Sequence, residues 1–388
     1  MTGWRTFPLG TALELAYGKA LPKTVRVHGG NIPVYGSNGV AGWHDEALVD
    51  EPTVIVGRKG SAGMVQYVEG PCYPIDTTYF VRPRTGFQFD MKFIFYLLRW
   101  LDLSRLKTAT GVPGLTREDV YRESIPVPPI DEQRRIVDFI TRAEGIIRLR
   151  REAQTKVAEI IPALFLDMFG DPATNPKGWT AARLGSLADR MSDGPFGSNL
   201  KTSHYTAEGV RVVRLQNIGV GDLCDDNQVF VSPEHFASLP RHHCLPGDVL
   251  IGTLGDPNLR ACVLPPSIPE ALNKADCVQF RCRSDAVAAD FVCWLMNCPA
   301  TLRMAASMVQ GITRTRISMG RLRELVVPVP PLALQKRFAD LVERIRSVQA
   351  QQKVASQMAS ATFETLLADS FSERELQTGS QFKEVVVA

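Results

Sequence analysis

The sequence predicts an α+β protein in which two tandem, strand-rich domains are each followed by one long helix. Two observations predict this fold: the chain repeats itself once, and each copy passes from short β-type runs into a long helical pattern. The chain has 388 residues, of which 45% are hydrophobic and 22% are charged. Its length suits two or more domains, and its composition excludes wholesale disorder.

The repeat is carried by matching strings at both ends of each copy. An offset of 175 residues relates the following strings: Gly3-Trp4 to Gly178-Trp179, and Leu9-Gly10 to Leu184-Gly185. An offset of 202 residues relates the following: Ile125–Pro129 to Val327–Pro331, Gln133 to Gln335, Asp167 to Asp369, and Phe169 to Phe371. An unchanged offset indicates one continuous element without insertions. The second copy therefore holds 27 extra residues in its middle.

Each copy ends in a helical pattern, near residues 131–169 and 333–371. Pro128-Pro129 and Pro330-Pro331 stop any helix before them and preset the first helical turn. Apolar residues then recur at a spacing of three or four, interrupted midway by polar residues that can set the register of paired helices. The alternative is that each apolar stripe only packs on its own domain. Pro162 should kink the first helix near its end.

The two middles have the pattern of mixed domains. Short apolar runs such as Thr53–Val56 and Thr78–Val81 lie between turn signals such as Asn38-Gly39. The second middle repeats this style, for example in Asp248–Ile251, and a short helical patch precedes each proline string. The middles differ in length and in sequence, so the surfaces that they present should differ too.

With these features, the chain resembles the specificity subunits of type I restriction–modification enzymes over essentially its whole length. The strings that carry the resemblance are Ile32–Gly39, Gly57–Gly63, Ile75–Thr78, Asp193–Lys201, Arg214–Ile218 and Gly247–Ile251, together with the two proline junctions. The resemblance implies these segments: target-recognition domains at 1–125 and 171–326, spacer helices within 126–170 and 327–371, and a tail at 372–388. It also implies that the helices pair as an antiparallel coiled coil with pseudo-two-fold symmetry.

The function implied by this resemblance is recognition of an asymmetric bipartite DNA site by a subunit that is not itself an enzyme. The implied partners are double-stranded DNA, two adenine-methyltransferase subunits and a restriction subunit that translocates DNA. No cofactor is expected on this chain, because S-adenosylmethionine would be bound by the methyltransferase subunits. The net charge of +3 allows DNA binding only through a local basic surface.

A cytoplasmic location without a membrane partner is expected. The longest apolar runs fall well short of the ~20 residues that a bilayer requires, and no cleavable signal is recognised. The eight cysteines include no Cys-x-x-Cys pair, which is typical of reduced thiols.

Two places depart from the family pattern: Leu334-Gln335 lacks the acid of Glu132-Gln133, and Gly311–Arg314 lacks the second glycine of Gly111–Gly114.

The candidate DNA-binding residues are cations, amides and hydroxyls in glycine-containing turns, since cations bind phosphates while guanidinium and amide groups bind base edges. They are Arg58, Lys59, Ser61, Lys107, Thr108, Thr110, Asn199, Lys201, Arg214, Gln216, Asn217, Gln310, Thr313, Arg314 and Arg316. The alternative is a solvated hairpin at Arg58–Ser61, and turn capping by Asn199, Lys201, Arg214, Gln216 and Asn217. Phe196 and Tyr35 could stack on bases, although packing against strands is the commoner role.

Motifs for catalysis are not found. The segment Gly57–Gly63 lacks the Gly-Lys-Ser/Thr of a phosphate-binding loop, and there is no Gly-x-Ser-x-Gly, His-Glu-x-x-His or Asn-Pro-Pro-Tyr string. His242–Cys244 has no second ligand pair at zinc-site spacing, so no metal is predicted. Two other functions stay open: an unrecognised nuclease or methyltransferase centre, and an adaptor that binds other proteins through the duplicated helices without binding DNA.

Overall fold

The computed structural model describes residues 4–108, 113–255, 258–311 and 315–371. The chain divides into two compact units, one formed by Met1–Arg151 with Val354–Ala388 and the other by Glu152–Lys353. Each unit contains one mixed domain and a stretch of both long helices. Both units combine strands with helices, which confirms the predicted α+β class. The predicted tail at 372–388 lies outside the described residues.

The first unit is built on a four-stranded antiparallel sheet in the order β2-β8-β5-β6, a three-stranded sheet in the order β4-β3-β7, and a two-stranded ribbon of β1 and β9. Its strands are β1 (Arg5–Pro8), β2 (Leu13–Tyr17), β3 (Ile32–Gly36), β4 (Gly39–His44), β5 (Thr53–Gly57), β6 (Val65–Val68), β7 (Tyr73–Pro74), β8 (Thr78–Pro83) and β9 (Ser124–Val127). Its helices are α1 (Leu9–Ala12), α2 (Met91–Trp100), α3 (Arg117–Tyr121) and the first part of α4 (Ile130–Ala158).

The core of the first unit joins the four-stranded sheet to α2 and to both long helices. Asp90 caps α2 by accepting hydrogen bonds from the first-turn amides, and the apolar face of α2 packs on the sheet. Ile136 and Ile140 of α4 lie in the same buried cluster as Phe363 and Phe371 of the last helix. The start of one long helix and the end of the other are therefore part of one core.

The second unit repeats the first sheet and enlarges the second. Its helices are the end of α4, then α5 (Ile160–Phe169), α6 (Pro233–Ala237), α7 (Ala289–Asn297), α8 (Pro299–Ala305), α9 (Met319–Arg323) and the first part of α10 (Leu332–Phe371). Its strands are β10 (Thr180–Arg183), β11 (Ala188–Ser192), β12 (Tyr205–Thr206), β13 (Val210–Val213), β14 (Phe230–Val231), β15 (His243–Cys244), β16 (Val249–Gly252), β17 (Ala261–Val263), β18 (Ala271–Asn273), β19 (Cys277–Cys282) and β20 (Val326–Val329).

The sheet β11-β19-β16-β17 has the strand order of β2-β8-β5-β6 in the first unit, and the ribbon β10-β20 corresponds to β1-β9. The second sheet has five strands, in the order β12-β14-β13-β18-β15, where the first unit has three. The two middles, which the sequence predicts to be unlike, thus share one sheet and differ in the other.

Both ends of the repeat meet in the ribbons. Arg5 pairs with Val127 in the first ribbon, and Thr180 pairs with Val329 in the second. Thr180 follows Arg5 by 175 residues and Val329 follows Val127 by 202 residues, so equivalent residues form the ribbon in each unit. The strings that match between the copies are therefore those that close each domain onto the start of its helix.

In the second unit the two long helices run antiparallel. Gln154 Nε2 donates to the carbonyl of Gln352 at 3.2 Å, and the ring of Phe165 lies 5.7 Å from that of Phe338. As residue numbers rise along one helix, they fall along the other. Gln349 Nε2 also donates to a carbonyl of the opposing helix, so the predicted polar interruption forms a hydrogen-bonded layer between the helices.

The first long helix is interrupted, as Pro162 predicts. α4 ends at Ala158, Glu159 forms a turn, and α5 begins at Ile160. Pro162 has no N–H with which to bond the carbonyl of Ala158 four residues earlier, and its ring crowds that carbonyl. The last helix has no proline in its length and stays continuous.

Within the described ranges, no helix combines the length and the apolar character that crossing a membrane requires.

Candidate nucleic-acid interface

In the first unit, the loop Arg58–Ser61 leaves the four-stranded sheet at the carboxyl end of β5. The backbone N–H groups of Arg58 and Lys59 both donate to the carbonyl of Thr77, at 2.9 and 3.2 Å. Gly57 makes this path possible, since a Cβ there would lie 2.1 Å from the carbonyl oxygen of Ser61. Lys59 is exposed and Arg58 is half-buried, so the loop presents positive charge to solvent.

The structure brings the second predicted segment of this unit against that loop. The N–H of Gly60 donates to the carbonyl of Pro113 at 3.0 Å, and Lys59 forms a β-bridge with Gly114. Thr108 in turn donates from its N–H to the carbonyl of Gly114 at 2.9 Å. Lys107 and Thr108 are exposed beside Lys59, whereas Thr110 lies outside the described residues.

An aromatic ring that sequence reasoning missed lies beside these cations. Tyr17, at the end of β2, is 48% exposed, and its ring centroid is 5.3 Å from the guanidinium carbon of Arg58 and 5.0 Å from that of Arg117. In cation–π contacts of this kind, the guanidinium is attracted to the negative face of the ring. No local pattern could have found this group, because its members are far apart in the chain.

We call this group loop face 1. Its members are Tyr17, Arg58, Lys59, Ser61, Lys107, Thr108 and Arg117. Four cationic side chains, one exposed ring and two hydroxyls can bind phosphates and stack on or hydrogen-bond to bases.

The second unit builds the same backbone arrangement from different residues. Thr253 follows β16 as Arg58 follows β5, and its N–H donates to the carbonyl of Asp276 at 2.9 Å. The N–H of Ile317 donates to the carbonyl of Thr253 at 2.9 Å, as that of Leu115 does to Arg58. Sequence reasoning missed the equivalence of Thr253-Leu254 with Arg58-Lys59, because the side chains are chemically unlike.

The described ends of the predicted segment Gln310–Arg316 lie beside this loop, since Arg316 forms a β-bridge with both Leu254 and Gln310. Gln310 and Arg316 exchange backbone hydrogen bonds of 2.8 and 2.9 Å. Thr108 and Gly114, 202 residues earlier, are paired in a similar way, except that the N–H of Gly114 donates to the hydroxyl oxygen of Thr108 at 3.2 Å. Gln310 is exposed. Thr313 and Arg314 lie outside the described residues, so their predicted role rests on the sequence alone.

Arg316 is held by acids rather than presented alone. Its guanidinium pairs with Asp193 at 3.2 Å and with Asp276 at 2.6 Å, and it lies 5.2 Å from the ring centroid of Phe196. Burial raises the pKa of Asp193, and the nearby Arg316 opposes that rise. Two carboxylates thus compensate this cation, while the Phe196 ring beside it is 50% exposed. Of the two aromatic candidates, Tyr35 instead packs on a small apolar cluster.

The segment Arg214–Asn217 mixes structural and exposed side chains. Asn217 is 1% exposed, accepts from the N–H of Arg214 at 3.1 Å, and donates to the carbonyls of Cys224 and Asp226 at 3.0 Å. Its amide therefore holds the loop closed. Gln216 is exposed, and the guanidinium of Arg214 donates to the carbonyl of Asn227.

Asn199 and Lys201 belong to a separate loop beside α6. Both are exposed, and the carbonyl of Asn199 is bonded to the His235 ring at 3.0 Å. Arg214 instead follows the end of β13, and Thr253 follows the end of β16. We call loop face 2 the following group: Phe196, Asn199, Lys201, Arg214, Gln216, Thr253, Leu254, Gln310 and Arg316.

The ring nitrogens of the adjacent His242 and His243 are hydrogen-bonded to backbone carbonyls. His242 Nδ1 is bonded to the carbonyl of Asp193 and His243 Nε2 to that of Phe236, both at 2.7 Å. Burial lowers the pKa of His242 and raises that of the Cys244 thiol, which favours their neutral forms. Among the described residues, no group of three or more His, Cys, Asp or Glu side chains is placed to hold a metal ion.

Each domain is joined to its helix by one buried glutamine. Gln133 is fully buried; its Oε1 accepts from the N–H of Asp90 at 2.9 Å, and its Nε2 donates to the carbonyls of Gln88 and Pro128 at 3.1 and 2.9 Å. The glutamine thereby ties the first turn of α4 to the segment that begins α2.

Gln335 makes the equivalent three bonds in the second unit. Its Oε1 accepts from the N–H of Ala288 at 2.9 Å, and its Nε2 donates to the carbonyls of Ala286 and Pro330 at 3.3 and 2.8 Å. Leu334, which replaces the family's acid, packs on the core of this unit. The departure at Leu334 therefore leaves the junction itself unchanged.

Comparisons with known proteins agree with the resemblance drawn from the motifs. Residues 1–159 match the family described as Type I restriction modification DNA specificity domain. A curated relative, the type I restriction enzyme MjaVIII specificity subunit of Methanocaldococcus jannaschii, is 20% identical over 278 residues. That match covers 67% of this chain and 63% of the relative, so the chain spans just under two thirds of the relative's length.

Solved structures show the same fold. The S subunit of a type I restriction–modification system from M. genitalium has a TM-score of 0.52 at 17% identity, covering 95% of this chain and 96% of its own. A chain from a study of complex assembly and conformational transition in the type I R-M system has a TM-score of 0.64 at 18% identity, covering 95% and 98%. Residues 1–159 therefore match the type I restriction modification DNA specificity domain, and the chain as a whole shares the fold of the solved S subunit from M. genitalium.

Proposed function

We propose that this chain reads a bipartite DNA sequence, one half-site through loop face 1 and the other through loop face 2, as the specificity subunit of a type I restriction–modification complex. One observation carries the proposal: the same loop geometry is built twice, with Arg58-Lys59 in one copy and Thr253-Leu254 in the other. Equivalent loops with unlike side chains are suited to the recognition of two unlike half-sites.

The charges of the loop faces favour DNA over a protein partner in the first unit. Loop face 1 holds four cations. Arg58 and Arg117 lie against the exposed ring of Tyr17, and Arg117 also pairs with the exposed Glu118 at 3.9 Å. Such a group gives salt-dependent binding to phosphates. Loop face 2 has its central arginine compensated by two carboxylates, so we expect it to contribute less phosphate binding and relatively more contact with bases.

The chain would direct catalysis rather than perform it. Two adenine-methyltransferase subunits and a restriction subunit would supply methylation and cleavage, and the methyltransferase subunits would bind S-adenosylmethionine. We propose that the long helices carry these partners and set the gap between half-sites, with the domains bounded as the sequence predicts. The exposed basic residues of the helices are candidate contacts: Arg134, Arg135, Arg142, Lys336 and Arg337. We expect this complex to work in the cytoplasm.

The test is selection of bound duplexes from a randomised pool by the full chain assembled with its methyltransferase subunits. We expect two unlike half-sites at a constant gap. Failure to enrich any sequence would favour the adaptor function that uses the helices alone. Methylation or cleavage by the purified chain without partners would instead show that an unrecognised catalytic centre is present.

A further inference from the structure

In the first unit, α4 presents an acid to the recognition domain that precedes it. Glu144 Oε1 pairs with Nη1 of Arg99 at 2.7 Å, and Glu144 Oε2 accepts from the hydroxyl of Tyr96 at 2.7 Å. Arg99 and Tyr96 lie on α2. The side chains of Glu144 and Arg99 are about one-third exposed, so solvent screens this ion pair only in part.

In the second unit, the equivalent helix position holds the opposite charge. Arg346 follows Glu144 by the repeat offset of 202 residues. Its Nη1 pairs with Asp290 at 2.8 Å, its Nε with Asp222 at 3.3 Å, and its Nη2 donates to the carbonyl of Gly221 at 2.8 Å. The helix thus presents a cation to two acids of the domain.

The domain side of this contact is reversed as well. The amides of Asp90 and Ala288 bond to the equivalent glutamines of the two helices, which aligns the start of α2 with the start of α7. In that register Lys92 occupies the position of Asp290. The partner of Glu144 is nevertheless Arg99 and not Lys92, and Arg99 aligns with Asn297 in this register. Opposite charges therefore stand at equivalent positions of the two helices, and the domain residues that pair with them, Arg99 in one unit and Asp222 with Asp290 in the other, are also opposite in charge.

We propose that these two reversed contacts make each recognition domain fit only the helix that follows it. The second domain placed on the first helix would set Asp222 and Asp290 against Glu144. The first domain placed on the second helix would set Arg99 against Arg346. Like charges juxtaposed at a partly buried contact disfavour the wrong pairing, while matched charges favour the right one. In this duplicated protein, whose two units share the strand order of one sheet, the charges thereby favour the packing of each domain on its own helix.

The first experiment exchanges charges without altering composition or net charge. The double variant Glu144→Arg with Arg346→Glu mismatches both contacts. We expect its thermal unfolding midpoint to fall by about 4–8 °C, as for the loss of partly buried ion pairs in units of this size. Adding Arg99→Glu and Asp290→Lys restores one opposite charge beside each helix position, while Asp222 stays acidic, and should recover at least half of that fall.

The matched control is Arg142→Glu with Asp340→Arg, a neutral exchange at two exposed positions of the same helices. We expect it to shift the midpoint by less than about 2 °C. The proposal is overturned if the mismatched variant melts with the control, or if the fourfold variant is no more stable than the mismatched one. Both measurements are made without DNA, so they are independent of the proposed function.

The second experiment tests domain order directly. In a full-length chimera, residues 178–326 replace the first domain as well, once with Glu144 and once with Glu144→Arg. In the chimera the arginine should raise the unfolding midpoint, whereas in the natural chain Glu144→Arg alone should lower it. The same sign in both backgrounds would overturn the proposal. If neither chimera folds, the charge exchange above decides.

Discussion

The buried glutamine at each junction makes a sharp prediction about how the domains are held to their helices. Replacing Gln133 by Leu keeps the approximate volume but removes three hydrogen bonds. The N–H of Asp90 and the carbonyls of Gln88 and Pro128 lose these partners. At about 1–3 kcal/mol for each buried polar group left unpaired, less the gain from burying Leu, we expect the first unit to lose about 3–5 kcal/mol.

The assay is thermal unfolding combined with hydrogen–deuterium exchange resolved to peptides. Gln133→Leu should speed exchange around Asp90 and leave that around Ala288 unchanged, and Gln335→Leu should do the reverse. The corresponding fall in the midpoint is roughly 10 °C for a unit of this size. The matched control is Gln351→Leu at an exposed helix position, which should change the midpoint little.

Two results would refute this reasoning. One is a loss below about 1 kcal/mol in either junction variant, which would mean that water or a shifted backbone replaces the bonds. The other is a large difference between the Gln133 and Gln335 variants, because the two side chains make the same set of bonds.

Four further predictions follow from the loops, the helices and one buried acid. Lys59→Ala should weaken DNA binding about 5- to 10-fold and reduce the salt dependence by about one phosphate contact, measured by titration at several salt concentrations. Gly57→Ala should displace the carbonyl of Ser61, 2.1 Å from the new Cβ, and abolish recognition of the first half-site alone in binding selection. Inserting one helical turn, about four residues, near Gln154 should change the selected gap and neither half-site sequence. Because burial raises the folded pKa of Asp193 above its ordinary 3.8, its contribution to stability is present below that value and is lost as pH rises through the folded pKa, so Asp193→Asn should flatten this decline in pH-dependent unfolding.

Each of these predictions has an outcome that contradicts it. An unchanged salt slope would exclude Lys59 from phosphate binding, and continued selection of the first half-site by Gly57→Ala would show that the close approach of Gly57 to Ser61 is not required. A changed half-site sequence with a constant gap would refute the spacer role of the helices. A decline of the same size with pH in Asp193→Asn and in the natural chain would remove that carboxyl as its source.

The candidate site was only partly predictable from sequence. Local strings placed Arg58–Ser61 and Gln310–Arg316 in loops, because glycine and hydroxyl residues mark turns over a few residues. Tyr17 and Arg117 were not among the predicted residues, since their proximity to Arg58 depends on how distant parts of the chain pack together. The amide of Asn217 has donors and an acceptor that suit a base edge, yet the side chain is buried and its amide is hydrogen-bonded to backbone groups. Side-chain type alone cannot distinguish these two uses.

The amino-acid sequence by itself determined the duplication, the α+β class, the two long helices and the interruption near Pro162, because offsets, hydrophobic periodicity and proline chemistry are local properties of a chain. Only the tertiary structure decided that the two loops share one backbone arrangement, that Arg316 is paired with two acids, and that Glu144 and Arg346 oppose reversed charges. These features depend on contacts between residues far apart in the chain, and such contacts form only when sheets and helices pack.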